Sequence, residues 1–133
     1  MISFHPTTQS PRRGGPGLWA PVVVWMAAIF YGSALPDTPS AVAGISDTLM
    51  HIGGYAGLAM LALRATAGGR WTGVTARSSA LALVIAVAHG ASVEIEQMFV
   101  PSRFAEWRDL GNDVIGAVIG LVAVWAWGKL FKE

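Results

Sequence analysis

A chain of 133 residues that is 53% hydrophobic and only 13% charged, with a mean hydropathy of +0.52, is too apolar for an ordinary soluble domain of its length. A lipid bilayer is therefore its expected solvent, and a net charge of +1 from scattered basic residues excludes the clustered Lys and Arg of a nucleic-acid-binding surface. The absence of cysteine excludes disulfides, thiolate metal sites and thiol catalysis.

Residues 1–17 are rich in Pro, Gly, Ser and Thr, lack apolar periodicity and read as a disordered tail that carries Arg12 and Arg13. The remainder, 18–133, reads as one membrane domain. A first apolar run covers 18–35, long enough at about 1.5 Å per residue to cross most of a hydrocarbon core of roughly 30 Å. Pro36 and Pro39 end it, because proline lacks an amide hydrogen and disfavours helix in the preceding residue. A rival reading takes 1–34 as a cleaved signal peptide with Gly32 and Ala34 at the cleavage site, but the apolar run is longer than such segments usually carry. The second run, 47–67, opens at Ser46 or Asp47, either of which caps a helix N-terminus. The third covers 78–99 and the fourth 109–130. Four apolar spans with short loops predict an all-α fold, an integral membrane four-helix bundle.

Basic residues are distributed unequally over the two sides of such a bundle. Seven (Arg12, Arg13, Arg64, Arg70, Arg77, Lys129, Lys132) fall on the side of the termini and two (Arg103, Arg108) on the other, which predicts cytoplasmic termini. Trp19, Trp125 and Trp127 then lie near the cytoplasmic interface and Trp107 near the outer one.

The stretch 89–120 interrupts this apolar pattern with His89, Glu94, Glu96, Gln97, Arg103, Asp109, Asn112 and Asp113. A charged side chain at the centre of a spanning helix costs about 2.5–3.5 kcal/mol on insertion scales, so these groups are expected to face a protein interior or a wet cavity. His51, Glu94 and Asn112 fall at similar depths, about 4.5–7.5 Å from the outer ends of their runs. Asp47 and His51 share a face, Glu94 and Gln97 lie about 60° apart, and Asp109, Asn112, Asp113, Gly116 and Gly120 form one stripe. Gly116 and Gly120, like Gly53 and Gly57, form small-xxx-small pairs that let helices approach closely. The spans are expected to converge on one polar cluster.

The pattern resembles the VanZ-like family of small bacterial membrane proteins. The resemblance is carried by residues 33–36, by Asp47, His51 and Tyr55, by Glu94 and Gln97, and by Val100, Pro101, Arg103, Asp109, Asn112 and Gly116. It covers nearly everything after the tail. The chain departs from the family at Val93, where an acidic residue is common, at Thr48, where a basic one is, and at Ser102, where glycine is frequent. The resemblance implies a multi-pass protein of the bacterial cytoplasmic membrane, a link to the cell envelope, and the glycopeptide (teicoplanin) resistance associated with the founding member. It implies no established reaction.

Each candidate carries a structural and a chemical reading. Asp47 is a helix cap, or with His51 orients a proton and, together with Glu94 and Asp109, offers oxygen and imidazole ligands to a divalent metal. Glu94 is half of a buried ion pair with Arg103 or His51, or a general base. Arg103 pairs with Asp109, or offers its fork of donors to a phosphate. His89 and Asn112 are expected to bond across helices, and Tyr55 to supply a hydroxyl to the cluster or to pack. The candidate acid–base residues are Glu94, His51 and Asp109, and the candidate ligand-binding residues are Asp47, Tyr55, Gln97, Arg103 and Asn112. The expected partner is an anionic lipid-linked envelope precursor, bound or acted upon at the outer surface; the alternative is a non-catalytic scaffold whose polar cluster fixes helix packing. Transport is less favoured, because four short spans offer little pathway. Neither cofactor, metal nor oligomeric state is specified by the sequence.

Overall fold

The computed structural model describes residues 15–36 and 44–131, which form four α-helices and one 3-10 turn, with no strand among the described residues. They are α1 (Pro16–Ala34), α2 (Asp47–Thr66), α3 (Ala76–Gln97) and α4 (Trp107–Phe131), with the 3-10 turn at Trp71–Gly73 between α2 and α3. Most of the expected tail, Pro39, Lys132 and the basic pair Arg12 and Arg13 lie outside the described residues.

Local chemistry sets the helix ends. Helix α1 begins at Pro16, two residues before the apolar run, because proline at the first helical position loses no hydrogen bond and has its φ already fixed. It stops at Leu35, whose extended backbone (φ −74°, ψ 132°) is what the following Pro36 imposes. Ser46, not Asp47, caps α2, accepting from the Leu49 amide at 3.3 Å. The far end of α2 closes with the Gly68 amide bonded to Ala65 O and the Gly69 amide to Arg64 O, a paired closure that requires the left-handed φ values of 67° and 70° at the two glycines. Thr75 and Ser78 form a reciprocal capping box that starts α3 two residues ahead of expectation.

Three helices, α1, α3 and α4, are long and apolar enough to cross a membrane; α2 is long enough but less apolar. Its position accounts for this. Helix α2 packs against all three others, α3 does likewise, and α1 and α4 flank the pair on opposite sides. A helix surrounded by protein needs fewer apolar side chains than one facing outward, and α2 contributes Tyr55, Leu58, Ala59, Ala62 and Leu63 to the core. Leu49 and Met60 of α2 are exposed, but most exposed large apolar residues lie on the other three helices, including Val24, Tyr31, Val84, Ile95, Ile119 and Val122. Helix α1 belongs to the bundle: Val22 is buried, and the Trp25 indole N–H donates to the Gly54 carbonyl at 2.8 Å. Removing 1–34 as a leader would strip one wall from α2.

The closest helix contact is between α2 and α4, which run parallel. A Cβ at Gly116 would collide with the carbonyl oxygen of Ile52, and one at Gly120 with that of Ala56. This pair behaves as its spacing predicts. Gly53 and Gly57 do not: Gly53 faces open space, and Gly57 makes room for the Trp25 ring, which lies 2.8 Å from where its Cβ would sit. Gly116→Ala therefore forces two backbones apart and is expected to destabilise the bundle by about 1–3 kcal/mol. Gly53→Ala should be neutral or stabilising, by up to about 1 kcal/mol of helix propensity. Thermal unfolding in detergent measures both, and equal midpoints for the two variants would contradict this packing.

Candidate functional site

The C-terminal ends of α1 and α3 and the N-terminal ends of α2 and α4 meet at one end of the bundle, and the polar residues gather there. At their centre is His51, one turn into α2. Its Nδ1 donates to Asp113 Oδ1 at 2.7 Å, and its Nε2 lies 3.9 Å from Asp47 Oδ1 and 3.8 Å from Asp109 Oδ2. The α2–α4 glycine contact is what makes this reach possible, since Asp109 and Asp113 stand two turns and one turn before Gly116 on the same stripe. Gly90 of α3 leaves space for Asp113, whose Oδ2 lies 2.7 Å from where a Cβ would be.

Glu94 lies behind His51. It is buried, its Oε2 accepts the backbone N–H of Glu106 at 2.8 Å, and its Oε1 has no hydrogen-bond partner among the described residues. The structure therefore assigns Glu94 neither of its expected partners: it closes the approach to α4 rather than pairing with Arg103 or hydrogen-bonding to His51. Arg103 is placed differently too. Its Nε and Nη2 both donate to the Leu35 carbonyl, at 3.2 and 3.0 Å, tying the loop between α3 and α4 to the end of α1. The cation beside Asp109 is Arg108, with Nε 3.7 Å from Oδ1. Asn112 was expected to bond across helices, yet its buried amide nitrogen has no partner among the described residues.

His89 and Tyr55 form a separate relay. A carbonyl can only accept, so the contact of His89 Nε2 with Met26 O at 3.1 Å fixes the ring proton on Nε2. Nδ1 of the neutral ring is then an acceptor, and the Tyr55 hydroxyl donates to it at 3.1 Å. This chain links α2, α3 and α1. The Tyr55 proton is committed to His89, so toward a ligand Tyr55 offers a lone pair only. Glu96 points away from the cluster and accepts from Ser33 Oγ at 3.2 Å.

Beside His51 a groove of about 390 Å³ runs between α1 and α2. Its walls are apolar, from Trp25 and Ile29 among others, and its polar end is formed by Asp47, His51, Gln97 and Arg103. Tyr55 also borders it, whereas Glu94, Asp109 and Asn112 do not. Of the expected acid–base residues, His51 alone both faces the groove and has a carboxylate, Asp113, to orient and polarise its ring. Asp113 shares a stripe with the candidates without being one of them; its signal is its spacing of four from Asp109 and three from Gly116, which puts it beneath the helix contact. Ser102 has a left-handed backbone, φ 66°, a conformation that glycine adopts without strain. Compared with family models, curated proteins and solved structures, the chain matches none.

Tyr55→Phe leaves His89 Nδ1 buried without a donor, at an expected cost of about 1–3 kcal/mol. Chemical or thermal unfolding in detergent tests this, and an unchanged midpoint would mean that the relay adds nothing to stability.

Proposed function

We propose that this chain is a multi-pass protein of the bacterial cytoplasmic membrane, VanZ-like in kind, that binds the anionic head group of a lipid-linked envelope precursor in an outward-facing groove. The observation that carries the proposal is the groove itself, apolar along α1 and α2 and ending in Arg103, His51, Gln97 and Asp47. A lipid needs both halves. Acyl or polyprenyl carbons fit the Trp25 and Ile29 walls, while a phosphate suits the Arg103 guanidinium fork beside the Gln97 amide. Among the described residues Arg103 has no carboxylate within 4 Å, so its donors can be shared between the Leu35 carbonyl and an anion. Exposed apolar side chains on α1, α3 and α4 support insertion, and the seven-to-two distribution of basic residues supports cytoplasmic termini. An influence on glycopeptide susceptibility is the cellular effect this reading anticipates.

A scaffold without a ligand is the second reading. It is favoured by the bonds His51–Asp113, Tyr55–His89, His89–Met26 and Arg103–Leu35, each of which joins different elements of the bundle.

Two experiments separate and test these readings. Native mass spectrometry of the detergent-extracted protein should show a retained phospholipid or polyprenyl phosphate whose occupancy falls about 10-fold or more in Arg103→Gln, as loss of a charge-assisted bond worth about 1.5–3 kcal/mol requires. Equal retention by the two proteins, with both folded, would leave the scaffold reading standing. Orientation is tested by introducing single cysteines into this cysteine-free chain. A membrane-impermeant maleimide applied to intact cells should label Phe104→Cys and spare Thr72→Cys; the opposite pattern would place the groove on the cytoplasmic side.

A further inference from the structure

We infer that His51, Asp47 and Asp109 bind a divalent cation of the zinc or manganese class, with Asp113 as the carboxylate that orients His51. The inference starts from the ring. With Nδ1–H donating to the buried Asp113 at 2.7 Å, a neutral His51 turns the Nε2 lone pair toward Asp47 Oδ1 and Asp109 Oδ2. Those separations, 3.9 and 3.8 Å, are too long for hydrogen bonds. One donor atom from each of Asp47, His51 and Asp109 nevertheless lies within 4.8 Å of the others. An ion with bonds of about 2.0–2.2 Å holds its donors roughly 3–4 Å apart, so a single cation reaches all three with little movement.

Asp109 supplies an independent observation. The residue is only 6% exposed, its Oδ1 is buried without a partner, and its Oδ2 is directed at the same point; neither oxygen makes a hydrogen bond among the described residues. Arg108, exposed and with Nε 3.7 Å from Oδ1, makes only a long contact with the other oxygen, and a buried carboxylate without a hydrogen bond is costly and is normally paired or coordinated to a metal. A carboxylate on the far nitrogen of a histidine ligand is the usual second-shell arrangement, fixing tautomer and ring angle. Asp47, with its side chain 53% exposed, gives the ion a path from outside. One imidazole with two carboxylates suits zinc or manganese better than calcium or magnesium, which favour all-oxygen shells. Positions not filled by protein remain for water or for a ligand oxygen from the adjoining groove. Cation binding does not depend on the head-group reading.

The test uses the full chain, purified in detergent, stripped with chelator and titrated with Zn2+ or Mn2+ alone, read by calorimetry and by Mn2+ paramagnetic resonance. One saturable equivalent is expected. Asp47→Asn and Asp109→Asn should each weaken it at least 10-fold, Asp113→Asn by about 10–100-fold, and Glu96→Gln, on the α1 side, should leave it unchanged. Asp47 is exposed, so its variant reports on the site even if Asp109→Asn fails to fold. Absence of a saturable equivalent, or undiminished binding in Asp47→Asn, would overturn the assignment. Loss on Glu94→Gln with Asp47→Asn unaffected would also overturn it, by moving the ion to the inner group of His51, Glu94 and Asp113.

Discussion

The close parallel contact of α2 and α4 is the constraint on which the polar site depends. It exists because Gly116 and Gly120 present no side chain where the carbonyls of Ile52 and Ala56 pass. In an apolar environment helices gain nothing by hiding carbon from carbon, so close van der Waals approach and hydrogen bonds between helices supply the association energy. The same approach brings one stripe of α4 against one face of α2. His51 and Asp113 then meet at 2.7 Å, and Asp109 comes within 3.8 Å of the ring. Widening the contact by the radius of a methyl group would break the hydrogen bond. Structure at the α2–α4 glycines and chemistry at the end of the bundle are therefore one feature, not two.

Much of this was legible in the sequence, at uneven resolution. Four helices follow from four apolar runs, and their ends shift by two residues or fewer, where Pro16, the Thr75 box and the turn before Trp107 extend a helix beyond its apolar stretch. The stripe from Asp109 to Gly120 follows from a period of 3.6, which tells which residues share a face. Periodicity does not tell what that face meets. Gly53 and Gly57 have the same spacing as Gly116 and Gly120, yet one faces open space and the other an indole, because the neighbour of that face is α1, packed through Trp25. Loops are less legible still. Arg103 was expected near Asp109 from proximity in sequence, and it reaches Leu35 because the left-handed Ser102 redirects the chain.

Polar residues divide by partner more than by position. His89 and Tyr55 are deep and ionisable, which in an apolar segment suggests function, but their hydrogen bonds are internally complete and need nothing further. The groups around His51 are the converse. Glu94, Asp109, Asn112 and Asp113 each retain a buried polar atom without a partner among the described residues, and these four lie in a single neighbourhood. A network evolved only to hold helices together has no reason to leave so many buried polar atoms without a hydrogen bond. That contrast, more than the number of charges, distinguishes the site from the relay.

The helix ends add a final asymmetry. Asp47 and Asp109 lie in the first turns of α2 and α4, where free amides and the positive pole of the helix dipole favour a carboxylate by about 0.3–1 kcal/mol. Glu94 lies in the last turn of α3, at the negative pole, where the same effect opposes it. Its one hydrogen bond, from the Glu106 amide, offsets part of that penalty and leaves Oε1 exposed to the fields of Asp109 and Asp113. Two carboxylates are thus placed at the positive ends of helices, while the third lies at a negative end. An end of a bundle arranged in this way attracts positive charge.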